Sequence, residues 1–188
     1  GEQSPDLLAG LEIRTPSLSR SGFYVDGKGS VLTTTEVLQN CSRITVDGEN
    51  VYTLSVENTD LNLALLSPEE RLTPLGFAKF ESTLPRLRSE LAISGYSYEG
   101  ALGDSTVPFG ELAALKGLDG SDGVQRVSVD SLPGDTGGPV IATSGLVIGA
   151  LLSKDKGARA LPANVRFAAK SAEILDMLND AGIESQSD

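Results

Sequence analysis

The chain has 188 residues, 39% of them apolar and 22% charged, with no low-complexity tract, which is the composition of a folded globular protein. Its net charge of −11, spread along the sequence, excludes a general surface for nucleic acid or anionic membrane, because both would be repelled. It contains no histidine and one cysteine, Cys41, so a Ser-His-Asp or Cys-His site, a histidine-based zinc site and an intrachain disulfide are all excluded.

In chain order, short apolar runs recur between turn residues: GLEIRT, SGFYVD, GSVLTTT, SRITVDG, VYTLSVE and LNLALLS. Their β-branched content and partial alternation predict about six antiparallel strands, with GKG at 27–29 and DGEN at 47–50 as hairpin turns. Cys41 stands just before one such run, NCSRITV, and reads as a small buried hydrophobe. Residues 67–89, with three prolines and a cluster of charges, read as the crossing between two halves.

Strand patterns resume with ELAISGY, STVPFGELAAL, VQRVSVD, GPVIAT, GLVIGALLS and VRFAA. Two groups of short strands predict paired barrels or a sandwich. From Ser171 the period becomes helical, with Ile174, Leu175, Met177 and Leu178 on one face and Gly182 as the C-terminal cap. This helix is expected to pack on the second barrel. No run of residues reaches the length of a membrane span.

The stretch PGDTGGPV, residues 133–140, is glycine-rich and suits neither helix nor strand. It reads either as a surface turn or as a loop that converges backbone N–H groups around Thr136. Asp135 within it reads as a structural partner for a buried donor.

Taken together, SGFYVDGKGSVLTTTEVLQNCSRITV, NLALLSP, ELAISGY, GDTGGPVIATSGLVIGALLS and LPANVRFAAKSAEILDMLNDAGI resemble, in order, segments of the trypsin-like serine proteases, especially the bacterial HtrA-like group. The resemblance spans residues 8–183 and implies an all-β fold of two six-stranded antiparallel barrels with a C-terminal helix. Residues 1–85 would form the first barrel and 86–188 the second barrel plus helix, together one protease-fold domain. The three catalytic positions depart from the family pattern: Glu36 stands where the family has histidine, Asn62 where it has aspartate, and Thr136 where it has serine. Asp60 is the alternative to Asn62 in a shifted alignment.

These departures imply a pseudoprotease with a protein- or peptide-binding or scaffolding role. A carboxylate is a base roughly two pK units weaker than imidazole, and threonine adds a methyl group where the nucleophile must turn. The alternatives are a weak endopeptidase using Thr136 with Glu36 or Asp60 as base, and a regulatory domain of a larger protease assembly. The resemblance places an oxyanion hole at Gly134, Asp135 and Thr136, and a peptide groove along Gly149, Ala150, Leu151 and Leu152. It implies no cofactor and no metal. The expected partner is a protein or extended peptide, with no nucleic acid and no direct membrane contact. Export to the periplasm or cell exterior is implied by the family, a cytoplasmic location being the other reading.

Overall fold

The computed structural model describes residues 10–15, 18–39, 43–83, 85–95, 107–117, 120–131, 133–153, 161–162 and 164–183. Cys41 lies outside them. The first half supplies β1 (Leu11–Arg14), β2 (Ser19–Tyr24), β3 (Val31–Thr34), β4 (Ile44–Val46), β5 (Asn50–Asn58) and β6 (Leu63–Pro68). These close into a barrel in the order β1-β2-β3-β6-β5-β4, with Ile13 opposite Val46 at the seam. The second half supplies β7 (Glu90–Ile93), β8 (Phe109–Ala114), β9 (Val124–Val129), β10 (Pro139–Ala142), β11 (Val147–Leu151) and β12 (Val165–Lys170). They close as β10-β11-β12-β9-β8-β7, with Val140 opposite Ile93. Reading β7 as the counterpart of β1, the two barrels share one strand order, although their sequences show no repeat. The expected pair of six-stranded antiparallel barrels is what the chain forms.

Local chemistry explains the turns. Asp47 and Gly48 take φ values of 53° and 75°, the left-handed pair that a tight hairpin between β4 and β5 requires. The GKG turn belongs to a wider loop, in which the Asp26 carboxylate accepts the N–H groups of Lys28 and Ser30, both at 2.9 Å.

Alternation then sorts the side chains into three cores. In β6, Ala64 and Leu66 face the interior of the first barrel, while Leu63 and Leu65 face the junction between barrels. The second barrel has its own core, including Ile93, Leu112, Val127, Ile148 and Leu151. The crossing segment adds Phe80 to the junction, with its backbone beside Val147 in a parallel bridge.

The closing helix, α1 (Ser171–Asp180), buries Ile174, Met177 and Leu178, with Leu175 partly covered. Its cluster includes Phe23, Leu63 and Leu65 of the first barrel as well as Val147, Ala150 and Ala169 of the second. The helix therefore packs on the second barrel, as expected, and reaches the first barrel as well. It seals the junction, because a stripe of apolar residues is wide enough to cover both walls. The helix ends as expected, with Gly182 at φ 74° and the Ile183 N–H bonded to the Leu178 carbonyl at 2.9 Å. Among the described residues, no helix is long and apolar enough to cross a membrane.

Candidate functional site

The glycine-rich loop sits where the barrels meet. Pro133–Asp135 form one turn of 3-10 helix, and the chain then leaves through Thr136, Gly137 and Gly138 into β10. Strand β2 of the first barrel holds this loop from outside. The Ser21 N–H donates to the Thr136 carbonyl at 2.9 Å and the Ser21 hydroxyl to the Gly134 carbonyl at 2.6 Å. The Thr33 hydroxyl supports the same residue, donating to the Ser21 carbonyl at 2.7 Å. Gly137 has φ 93°, and a Cβ there would lie 2.1 Å from the Ser21 carbonyl oxygen. Only glycine allows so close an approach. The Asp135 carbonyl accepts the Gly138 N–H at 2.9 Å, so the carbonyls of Gly134, Asp135 and Thr136 are all engaged.

Thr136 is 3% exposed and its Oγ1 accepts a hydrogen bond from Arg166 Nη2 at 2.9 Å. Arg166 comes from β12, where burial alternates and places its side chain inward. The same Nη2 donates to the Leu152 carbonyl at 3.0 Å, and Nη1 donates to the Ser131 hydroxyl at 2.6 Å. Arg166 is 1% exposed, and its Nε has no hydrogen-bond partner among the described residues. Burial lowers its pKa to about 10, well below the ordinary guanidinium value, partly offset by the negative charges of Asp135 and Glu36.

Glu36 lies in a 3-10 turn, Thr35–Leu38, directly after β3. Its Oε2 accepts from Arg20 Nη2 at 2.9 Å and Nε at 3.1 Å, and its Oε1 accepts the hydroxyl of Ser153 from the second barrel. Both carboxylate oxygens are thus occupied by donors other than Thr136. Asn62 is nearby through backbone only, its carbonyl accepting the Thr35 N–H at 2.9 Å. Its φ of 59° is a conformation asparagine tolerates, and its side chain is exposed, with no hydrogen bond to Glu36. Asp60 is exposed on the turn before it and makes no hydrogen bond to Thr136.

The structure therefore brings Glu36 and Thr136 to the surroundings of Arg166 but does not join them. A guanidinium is donor-only, so Arg166 cannot take the Thr136 proton as a general base must. The sequence reading missed Arg166. Its signal was the alternation of VRFAA, which puts Arg166 on the same inward face as Ala168.

The peptide groove expected along Gly149, Ala150, Leu151 and Leu152 also needs correction. Gly149 and Ala150 pair with both β10 and β12, so they form an interior strand. Leu151 exchanges backbone hydrogen bonds with Gly137 and Gly138 on one side and faces Ala168 on the other. The Leu152 N–H donates to the Phe167 carbonyl, and its own carbonyl is taken by Arg166. Barrel closure removes the free edge that strand addition requires.

Comparison with known proteins accords with this architecture. The trypsin-like peptidase domain family matches residues 20–149. An uncharacterized protein of Sinorhizobium fredii, y4bJ, is 30% identical over 192 residues, covering 96% of this chain and 30% of the relative. The chain thus spans less than a third of that relative's length. The Rv3671c protease of M. tuberculosis, in its active form, is 19% identical with a TM-score of 0.74, over 99% of this chain and 90% of that one. Its inactive form gives 21% and 0.73, over 97% and 98%, so overall shape does not separate the two states. A serine endoprotease of Yersinia pestis is 18% identical with a TM-score of 0.73, over 96% and 67%. Fold, strand order and sequence agree: the chain belongs to the trypsin-like peptidase family.

Proposed function

We propose that this domain is a catalytically inactive trypsin-like peptidase whose role is to bind protein or peptide, or to scaffold an assembly. One observation carries the reading: the Thr136 hydroxyl accepts from Arg166, and among the described residues no group able to receive its proton is hydrogen-bonded to it. The absence of histidine from the whole chain supports it, because general acid-base help contributes about 10²–10⁴-fold to such reactions. Against a weak peptidase using Thr136 stands the engagement of Glu36 by Arg20 and Ser153.

A regulatory place within a larger protease assembly is a second reading. It is favoured by the y4bJ relative, in which the matched stretch is 30% of a longer chain. Export to the periplasm or cell exterior is proposed by family likeness alone.

Turnover of casein and of a small ester by the unchanged chain and by Thr136→Ala tests the reading. Equal, background-level rates are expected. Turnover that the substitution abolishes would overturn it.

A further inference from the structure

We propose that the acceptors gathered around Thr136 form a guanidinium site that the chain fills with its own Arg166, an internal plug that keeps external side chains out. Arg166 faces Val127 across the β9–β12 pair, on a mostly apolar inward face whose other buried polar side chain is Gln125 among the described residues of the pair. The barrel itself does not call for a charge there, since a well-packed apolar side chain is commonly no less stabilising than a buried ion.

What surrounds the guanidinium explains its presence better. Three neutral acceptors from separate segments converge on it: the Ser131 hydroxyl after β9, Thr136 Oγ1, and the Leu152 carbonyl past β11. The carboxylates of Asp135 and Glu36 add favourable negative charge around it. Planar donors matched to fixed acceptors are the arrangement that distinguishes a guanidinium site from a general cation site.

Two consequences follow. While the plug is in place, Thr136 Oγ1 and the Leu152 carbonyl are unavailable to a bound peptide. Removal of the plug leaves neutral acceptors in a field of negative charge that suit another guanidinium or amidinium head. This inference does not depend on whether the domain hydrolyses anything, so it and the proposed inactivity can fail separately.

The test uses Arg166→Gly with methylguanidinium as probe, read by thermal unfolding and calorimetry. Saturable stabilisation of the variant is expected, with binding at least about tenfold tighter than to the unchanged chain, the factor one charge-assisted hydrogen bond supplies. Methylammonium at the same concentration should give less. If Arg166→Gly folds only with methylguanidinium present, that also supports the plug. A folded variant that responds to the probe no more than the unchanged chain overturns it.

A second measurement needs no variant. Phenylglyoxal should modify the exposed Arg71, Arg86 and Arg88 in the native chain and spare Arg166, mapped by peptide mass. Equal modification of Arg166 overturns the plug.

Discussion

The Ser21 hydroxyl bonds the Gly134 carbonyl at 2.6 Å, so a strand of the first barrel fixes the glycine-rich loop of the second. The loop's shape is therefore a property of the junction, not of its own sequence alone. Gly137 is the tightest point of that contact. Gly137→Ala should cost about 3 kcal/mol or more, combining a left-handed backbone with a direct overlap on the Ser21 carbonyl. Urea denaturation checks this. A loss below 1 kcal/mol, on the order of a typical single hydrogen bond, would mean the barrels separate easily here.

The Arg20–Glu36–Ser153 chain gives a second prediction. The Arg20 and Glu36 side chains are 12% and 23% exposed, so the pair is partly shielded from water. Arg20→Met should cost about 1–3 kcal/mol, because it strands a charge that made two hydrogen bonds. Ser153→Ala should cost about 1 kcal/mol, because it removes a contact between barrels. The double variant should deviate from additivity, since both groups hold the same carboxylate. Additive losses would show that Glu36 does not couple them.

All twelve strands were legible in the sequence because each is a short apolar run bounded by turn residues, a local signal. The positions of Glu36, Asn62 and Thr136 were legible by resemblance, and the lack of histidine by counting. Their partners were not. Arg166 lies thirty positions from Thr136 in sequence, and alternation shows only that it points inward, not which loop its long side chain reaches. Likewise, GALL reads the same whether it lies at a sheet edge or inside a closed barrel. That distinction depends on β10 and β12 arriving on its two sides.

Alkaline pH should reveal the buried tyrosines. Burial raises the pKa of both Tyr24 and Tyr52 above the ordinary 10.0, and the Tyr52 hydroxyl donates to the Gly29 carbonyl at 2.6 Å. In the unfolded chain these groups lose their protons first, so the folded state binds more protons and stability falls as pH rises above about 10. Arg166 has the opposite sign. Its depressed pKa lets the unfolded state hold the proton longer, so its contribution rises as pH climbs from about 10 toward the ordinary guanidinium value. Tyr52→Phe should flatten the alkaline loss and Arg166→Met should steepen it, both read from urea midpoints across that range. A Tyr52→Phe variant with an unchanged slope would place the titration elsewhere.

Restoring the family's catalytic residues should not by itself restore chemistry. Glu36→His, Asn62→Asp and Thr136→Ser together would supply a base, its orienting carboxylate and an unhindered hydroxyl, and such residues act as a unit. Yet Arg166 would still donate to the hydroxyl at position 136 and still occupy the Leu152 carbonyl. Arg20 would then face an imidazole in place of the carboxylate it now pairs with, disfavouring the protonated ring that the reaction forms. The triple variant is therefore expected to remain unlabelled by a fluorophosphonate. Adding Arg166→Gly should allow labelling, with a gain of about 10²–10⁴-fold when the base becomes effective. Labelling of the triple variant with Arg166 intact would show that the arginine is no barrier. Labelling of Thr136→Ser alone would require a base that neither Glu36 nor Asp60 supplies in the present geometry, and the count of histidines would then be a poor guide to this site.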